Sequence, residues 1–204
     1  SSELRYGANA VADESLLDLT LSQFLARLAS DAPTPGGGSV AALTGVLATS
    51  LGQMVCAFTL GKPKFAPVEA QVRALDGHLQ RAGAIFRVLV DEDAAAYDVL
   101  SAALKVDKSD PARAERIAVA ARLAGTVPLE TSTLCARILG DLEQLQQIGN
   151  PLLHSDASAA LHLARAALHA AAANVRVNLT LMRPEDARQI EQQLNALGAG
   201  GVLT

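Results

Sequence analysis

The sequence predicts an all-α protein, a single-domain helical bundle with a buried central helix and one long helix. Half of the 204 residues are hydrophobic, but only 3% are aromatic, and alanine and leucine supply most of the apolar content. This composition suits closely packed helices better than sheets, which favour β-branched and aromatic residues. Apolar residues recur at alternating steps of three and four, which is the helical period. No strand pattern, internal repeat or linker is visible, so we expect one domain.

The chain divides into three predicted parts. Residues 1–19 form an N-terminal arm, because this stretch is mostly polar and begins without a hydrophobic period. Residues 20–198 form the helical domain, which is long enough for a generous core and too short for two large domains. Residues 199–204 form a glycine-rich tail that is expected to be flexible.

A capping box predicts where the first helix begins. Thr20 is followed three residues later by Gln23, and such a pair satisfies two backbone N–H groups reciprocally. The segment Asp31–Pro35 ends this helix, because proline disfavours the helical conformation in the residue before it. Three glycines then lead to Ser39. Serine is a preferred N-cap residue, so a second helix is predicted to begin there.

The second helix carries no charge, since no Asp, Glu, Lys or Arg occurs from Ala32 to Gly61. Val40–Leu60 is long enough to cross a bilayer, but it contains several polar residues and has no Trp or Tyr at its ends. We interpret it as a central helix buried on all sides, with a membrane span as the alternative. One face is almost without side chains and would let another helix approach closely. Its residues are Ala41, Gly45, Ala48 and Gly52.

The third helix is the long one. Pro67 suits its first turn, and no helix breaker occurs before about Lys105. Its apolar positions alternate by four and three and continue from Leu89 to Asp93, so a carboxylate occupies a position that the period assigns to the interior. Such a group is costly unless it is paired, hydrogen-bonded or protonated. A structural ion pair with an Arg or Lys and a functional role fit the sequence equally well.

Proline, glycine and capping residues set the remaining helix boundaries. A helical region starts at Asp110-Pro111, is interrupted near Gly125–Pro128 and stops at Gly149–Pro151. Ser155 caps an alanine-rich helix that reaches about Met182, and a last helix runs from Pro184 to near Gly198.

On the alanine-rich helix, Asn174 and Asn178 lie one turn apart. Their amides fit either a polar ligand or the backbone groups of a neighbouring helix.

The glycine-rich segment Pro33–Ser39 is a candidate ligand loop. Glycines let a backbone approach a ligand closely, and a helix N-terminus offers free N–H groups to an anion. The segment is not a Walker A loop, because no Gly-Lys-Ser/Thr follows, and it is not a dinucleotide fingerprint, because no strand precedes it. A plain loop remains the alternative.

Charge and metal-ligand patterns argue against several function classes. The formal net charge is −4 and the basic residues form no run, which argues against nucleic acid or an acidic membrane as partner. Cys56 and Cys135 lack metal-ligand spacing and are predicted to be small buried hydrophobes. His162 and His169 lack supporting carboxylates, so we predict no metal site. No secretory signal is visible, so a cytoplasmic location is expected.

These motifs together resemble the cyclodeaminase family, which includes the C-terminal half of formiminotransferase-cyclodeaminase and stand-alone bacterial methenyltetrahydrofolate cyclohydrolases. The resemblance runs from about Leu21 to Met182. Its segments are Pro33–Ser39 with Leu51–Met54, Thr59–Gly61 with Lys62 and Lys64, Asp93 with Tyr97, Val127-Pro128, Gly149-Asn150, Ser155-Asp156 and Asn174–Asn178. The segment Lys105–Lys108 departs from the pattern, because it lacks the proline expected there.

The resemblance implies an enzyme that reacts at the carbon bridging N5 and N10 of tetrahydrofolate, either as a cyclohydrolase or as a cyclodeaminase. It implies Asp93 as acid/base, with Asp156 as the second candidate. The helix end at Gly36–Ser39 and Lys64 would hold the anionic glutamate tail or polarise the reacting group. The implied substrate-binding residues are Pro35, Gly36, Gly37, Gly38, Ser39, Tyr97, Asn150, Ser155, Asn174 and Asn178. Folate is the carrier substrate, and no metal or redox cofactor is expected.

The resemblance also implies a homodimer, and the face of the second helix that is almost without side chains supports this prediction. The sequence shows no formiminotransferase half, which favours cyclohydrolase chemistry or a separate partner enzyme. The alternative to an enzyme is a non-catalytic helical bundle that binds folate or a protein partner.

Overall fold

A computed structural model describes residues 15–198, so residues 1–14 of the predicted arm and the predicted tail lie outside the described residues. The described part is helical and has no strand, which confirms the all-α prediction. Its helices are α1 (Leu21–Leu28), α2 (Gly37–Thr59), α3 (Glu69–Leu104), α4 (Arg113–Ile148), α5 (His154–Leu179) and α6 (Pro184–Ala196), with 3₁₀ helices at Pro63–Val68 and Pro151–Leu153.

The helix α2 is central and packs against α3, α4 and α5. Its face without large side chains accepts bulky residues of other helices. A Cβ atom added to Gly45 would lie 2.7 Å from the Phe86 ring of α3, and one added to Gly52 would lie 2.7 Å from Leu79. This face is therefore occupied within the chain, and its use as support for a dimer contact was wrong.

The prediction that α2 is buried on all sides is also wrong, because one face stays open. Leu47 and Phe58 are each 50% exposed. In the part of the chain that the structure describes, α2 is the one helix long and apolar enough to cross a membrane, and half of its apolar window is buried in the bundle. Core helices of helical domains satisfy the same criteria of length and composition.

The start of α2 differs from the predicted one. Gly36 is the N-cap, and Ser39 lies in the first turn. Ser39 does not cap the helix, because its hydroxyl donates a hydrogen bond to Asp93 of α3 instead. The helix α3 likewise begins at Glu69, after the 3₁₀ helix that contains Pro67.

The predicted break near Gly125–Pro128 is absent, since α4 runs without interruption from Arg113 to Ile148. Proline has no N–H, so Pro128 leaves the carbonyl oxygen of Ala124, four residues earlier, without its helical donor. Asn178 Nδ2 of α5 donates to that carbonyl at 3.2 Å. A side chain from the neighbouring helix therefore supplies the missing donor.

The start of α5 is also different. The helix begins at His154, so Ser155 is its second residue and not its cap. Asn150 caps the preceding 3₁₀ helix by accepting from the Leu152 N–H at 3.1 Å. The backbone N–H of Asn150 donates to Thr59 Oγ1, and its Nδ2 donates to the Phe58 carbonyl. Asn150 thus joins the C-terminal end of α2 to the beginning of α5.

Candidate functional site

A pocket of about 330 Å³ opens at the N-terminal end of α2, between α2, α3, α4 and α5. This volume lies at the lower end of the range for small-molecule sites. Asp93 is the one charged residue among the described residues that line it. The lining comprises Pro33, Thr34, Gly36, Gly37, Gly38, Asp93, Tyr97, Leu100, Ala124, Asn174, Val177, Asn178 and Leu181.

The glycine loop gives the polar side chains room to reach the start of α2. A Cβ atom added to Gly38 would lie 1.9 Å from Asp93 Oδ1, and one added to Gly37 would lie 3.0 Å from Asn174 Nδ2. Arg27 Nε of α1 fixes the loop by donating to the Thr34 carbonyl at 2.9 Å. The loop therefore brings a helix N-terminus, a carboxylate and an amide together.

Asp93 is partly buried and faces this helix start. Ser39 Oγ donates to Asp93 Oδ2 at 3.1 Å. Burial raises the pKa of the Asp93 carboxyl above its ordinary value, and the hydrogen bonds from the Ser39 hydroxyl and backbone N–H partly oppose the rise. A carboxyl with a raised pKa is better matched to proton transfer near neutral pH than an exposed one.

The alternative of a structural ion pair is not supported. Among residues 15–198, no ion pair involves Asp93. Its hydrogen-bond partner is the neutral Ser39 side chain. A partly buried carboxylate that lines a pocket without a paired cation is a candidate acid/base group.

The two asparagines of α5 both line the pocket and also bond to backbone groups. Asn174 Nδ2 donates to the Ala170 carbonyl at 2.9 Å. Asn178 Nδ2 donates to the carbonyls of Asn174 and Ala124. These bonds orient both amides and use both N–H groups of Asn178 Nδ2. The side-chain oxygen of each asparagine is the atom suited to accept a hydrogen bond from a ligand.

Apolar residues that were not predicted complete the walls of the pocket. Leu100 is buried, and Val177 and Leu181 are exposed to 67% and 37%. Helical spacing would have identified two of these residues, since Leu100 lies one turn after Tyr97 and Val177 lies one turn after Asn174. Leu181 lies in the turn after α5, where this spacing does not apply. The pocket residue Thr34 lies within the segment Pro33–Ser39, which the sequence identified as a candidate ligand loop.

Four of the predicted site residues lie near the opposite end of α2. Lys64 and Asn150 flank the C-terminal end of this helix, and Ser155 and Asp156 lie in the first turn of α5. A helix of 23 residues is roughly 35 Å long at 1.5 Å per residue. Within one chain, therefore, the structure does not bring these residues to the Asp93 pocket.

This second group of residues is basic at its exposed edge. Lys62 and Lys64 are both exposed, and Lys62 Nζ lies 5.5 Å from the centre of the Phe58 ring. Asp156 is partly buried in the first turn of α5. No cluster of three or more His, Cys, Asp or Glu residues that could hold a metal occurs within residues 15–198.

Comparison with known proteins identifies the family. The sequence pattern of formiminotransferase-cyclodeaminase matches residues 20–196. The methenyltetrahydrofolate cyclohydrolase of Methylorubrum extorquens is 37% identical over 166 residues, which cover 78% of this chain and 78% of that protein. The formimidoyltransferase-cyclodeaminase of Rattus norvegicus is 32% identical over 171 residues, or 82% of this chain. The match covers 32% of the rat protein, so the chain spans about a third of its length.

A solved structure agrees with the sequence comparison. The crystal structure of formiminotetrahydrofolate cyclodeaminase from Thermotoga maritima superposes with a TM-score of 0.82 at 27% identity, covering 90% of each chain. The matched family pattern covers both the glycine loop and the asparagines that line the pocket. The chain therefore belongs to the formiminotransferase-cyclodeaminase family.

Proposed function

We propose that the protein is a folate one-carbon enzyme that acts at the carbon between N5 and N10 of tetrahydrofolate, with Asp93 transferring protons. The observation that carries this proposal is the partly buried carboxylate, without an ion-pair partner among the described residues, at a helix N-terminus that lines a pocket. The names of the relatives supply the reaction class, because both cyclohydrolase and cyclodeaminase chemistry occur at this carbon.

In the cyclohydrolase reaction, water attacks the methenyl carbon of 5,10-methenyltetrahydrofolate. The Asp93 carboxylate accepts one proton from the attacking water and delivers it to N5 as the bond between the carbon and N5 breaks. The remaining hydroxyl proton leaves to solvent, and the product is 10-formyltetrahydrofolate. Ser39 holds the carboxylate in place during both transfers.

Cyclodeaminase activity is the second candidate, and the Thermotoga maritima relative of similar length supports it. In this reaction the amidine of 5-formiminotetrahydrofolate reacts in its protonated form, and N10 attacks its carbon. The N10 proton is removed, the departing nitrogen is protonated, and ammonia leaves as the methenyl bridge closes. One carboxyl group can carry the proton between the two nitrogens.

The pocket offers complementary surfaces for such a substrate. Tyr97 and Val177 present apolar area against which a flat ring can pack. The side-chain oxygens of Asn174 and Asn178 accept hydrogen bonds from ring N–H groups. We assign the substrate ring to this pocket on these grounds.

The carbon keeps its oxidation state in both reactions, so we propose that no redox cofactor is required. We also propose that Asp93 moves the protons without help from a metal. Dialysis against a chelator should leave turnover unchanged, and restoration of activity by an added divalent cation would contradict this.

We also propose a homodimer, which is supported by the open, uncharged face of α2.

A spectroscopic assay tests the proposed function. Methenyltetrahydrofolate absorbs in the near ultraviolet and its hydrolysis product does not, so cyclohydrolase activity removes the band. With 5-formiminotetrahydrofolate as substrate, cyclodeaminase activity first produces the band. Binding of both folates without a change in absorbance would instead support the non-catalytic alternative.

A further inference from the structure

The interior proline of α4 places an available hydrogen-bond acceptor at the wall of the Asp93 pocket. Proline has no N–H, so the Ala124 carbonyl oxygen does not receive the bond that residue 128 of an α-helix would otherwise donate. Ala124 lines the pocket, whereas Pro128 is buried and is not among the lining residues. Pro128 therefore changes the chemistry of the pocket wall without facing the pocket itself.

Asn178 of α5 is the side chain that uses this acceptor. Its Nδ2 lies 3.2 Å from the Ala124 carbonyl oxygen and 2.9 Å from the Asn174 carbonyl oxygen. A side-chain amide nitrogen carries two hydrogens, so these two contacts use both of them. In the flipped amide the side-chain oxygen would face two groups that can only accept. The side-chain oxygen is therefore the atom that Asn178 offers to a ligand in the pocket.

The two acceptors that hold the Asn178 amide are not equivalent. The Asn174 carbonyl lies one turn earlier in α5 itself, where the regular helix pattern already gives it the backbone N–H of residue 178. The Ala124 carbonyl comes from a different helix and lacks its helical donor because of Pro128. An N–H at position 128 would compete for this oxygen and weaken the bond from Asn178. The orientation of the amide across the pocket thus depends on Pro128.

We propose that Pro128 is a positioning residue for substrate recognition, which leaves the Ala124 carbonyl available to hold the Asn178 amide with its oxygen towards the folate ring. This inference rests on the proposed function. It makes Asn178 a fixed acceptor, so the pocket selects a ring edge that donates N–H groups. A ring edge that presents an acceptor at this place meets another acceptor and binds less tightly.

The first test measures kinetics of Pro128→Ala. Alanine is the best helix former, so this variant is expected to fold, and it supplies the missing N–H at position 128. The KM for methenyltetrahydrofolate should rise about three- to tenfold, because the pocket loses one well-oriented hydrogen bond. The kcat should change little, since the contact between Ser39 and Asp93 is untouched. An unchanged KM, or a fall in kcat alone, would overturn the proposal.

A second background separates positioning from a general effect on α4. Asn178→Ala removes the amide and should raise KM by itself. In that background, Pro128→Ala should leave KM unchanged, because no amide remains to be misoriented. If Pro128 instead shapes the pocket through the course of α4, Pro128→Ala raises KM by the same factor in both backgrounds. That result would contradict a role through Asn178.

A third variant separates the missing N–H from the proline ring. Replacement of Pro128 by lactic acid, the hydroxy-acid analogue of alanine, puts an ester into the backbone and supplies no N–H. This protein has the side chain of the alanine variant but the donor pattern of the wild type. It should therefore keep the wild-type KM. A KM equal to that of Pro128→Ala would show that the ring is what matters and would refute the proposed mechanism of positioning.

The closing experiment needs neither folate nor turnover. With ¹⁵N-labelled asparagine, the Asn178 side-chain amide is identified by the signal that Asn178→Ala lacks. Exchange of its hydrogens with water should be roughly fivefold or more faster in Pro128→Ala than in the wild type, and the lactic acid protein should match the wild type. Equal rates in the wild type and Pro128→Ala overturn the positioning role, whatever the activity. A wild type without turnover on either folate refutes only the proposed function, and the exchange difference then still establishes how the amide is held.

Discussion

Asp93 combines partial burial, one neutral side-chain partner and a place at a helix N-terminus. Asp93→Asn preserves the shape and the hydrogen bond from Ser39 but removes proton transfer. We expect turnover to fall by roughly 10²–10⁴-fold while folate binding changes little. Kinetics and binding measured on one preparation check this expectation. Near-normal turnover in the variant would remove Asp93 from the mechanism.

The raised pKa of Asp93 also predicts how stability depends on pH. Burial raises the pKa of the Asp93 carboxyl in the folded state above its pKa in the unfolded state. The contribution of Asp93 to the free energy of unfolding is therefore complete below the unfolded-state pKa and is lost as pH rises through the folded-state pKa. The Asp93→Asn variant has no carboxyl to ionise at this position, so its stability does not fall for this reason. The melting temperatures of the two proteins should be similar near about pH 4 and should diverge in favour of the variant near neutral pH. A variant that is less stable only at neutral pH would indicate a hidden ion pair.

Gly38 is the second residue whose identity the site requires. A Cβ atom there would lie 1.9 Å from Asp93 Oδ1, whereas Gly140 of α4, outside the pocket, has no atom within 4 Å of such a Cβ. Gly38→Ala should push the carboxylate out of place and reduce turnover by more than about tenfold, because misplacement of a reacting group by 1 Å is costly. Gly140→Ala should retain full activity. Equal rates for the two variants would show that the carboxylate position is not critical.

At the scale of the helices, Pro128 and Asn178 form one unit. Asn178→Ala leaves the Ala124 carbonyl without a donor and should lower the free energy of unfolding by about 1 kcal/mol. In a Pro128→Ala background the new backbone N–H takes that carbonyl, so the same substitution should cost less. Urea unfolding of the wild type, the two single variants and the double variant measures the coupling between Pro128 and Asn178. Equal costs in both backgrounds would contradict the assignment.

The contact between α2 and α3 depends on the absence of a side chain at Gly45. Gly45→Ala places a methyl group 2.7 Å from the buried Phe86 ring and should destabilise the fold by about 1–3 kcal/mol. Gly140→Ala on α4 meets nothing within 4 Å and should stabilise it by about 0.5–1 kcal/mol. Denaturant midpoints of the two variants should therefore shift in opposite directions. Shifts in the same direction would show that α3 can move away.

At the scale of the whole molecule, the two thiols report whether the bundle opens as a unit. Cys56 and Cys135 are fully buried, and burial raises the pKa of each thiol to about 12. A disulfide reagent should therefore react with neither at neutral pH until the protein unfolds, because the thiolate is the reactive form. The reaction rate should follow the unfolded fraction as urea is added. Rapid modification of one thiol in the native state would reveal local opening of α2 or α4.

The sequence by itself determined the all-α class, the inward position of Asp93 and the family motifs. These results depend on local properties, because helical period and residue type act over a few turns of chain. The same local reasoning misplaced the cap of α2 and predicted a break at Pro128. Those errors arose because Asp93 and Asn178 supply hydrogen-bond partners from other helices.

Only the tertiary structure decided which motif residues share a pocket. Gly38, Asp93 and Asn174 are far apart in the chain and meet because α2, α3 and α5 pack side by side. Lys64 and Asp156 belong to the same family pattern, yet they lie near the opposite end of α2. The physical reason is that contacts between helices depend on the direction in which each helix runs, and hydrophobic periodicity within one helix carries no information about that direction.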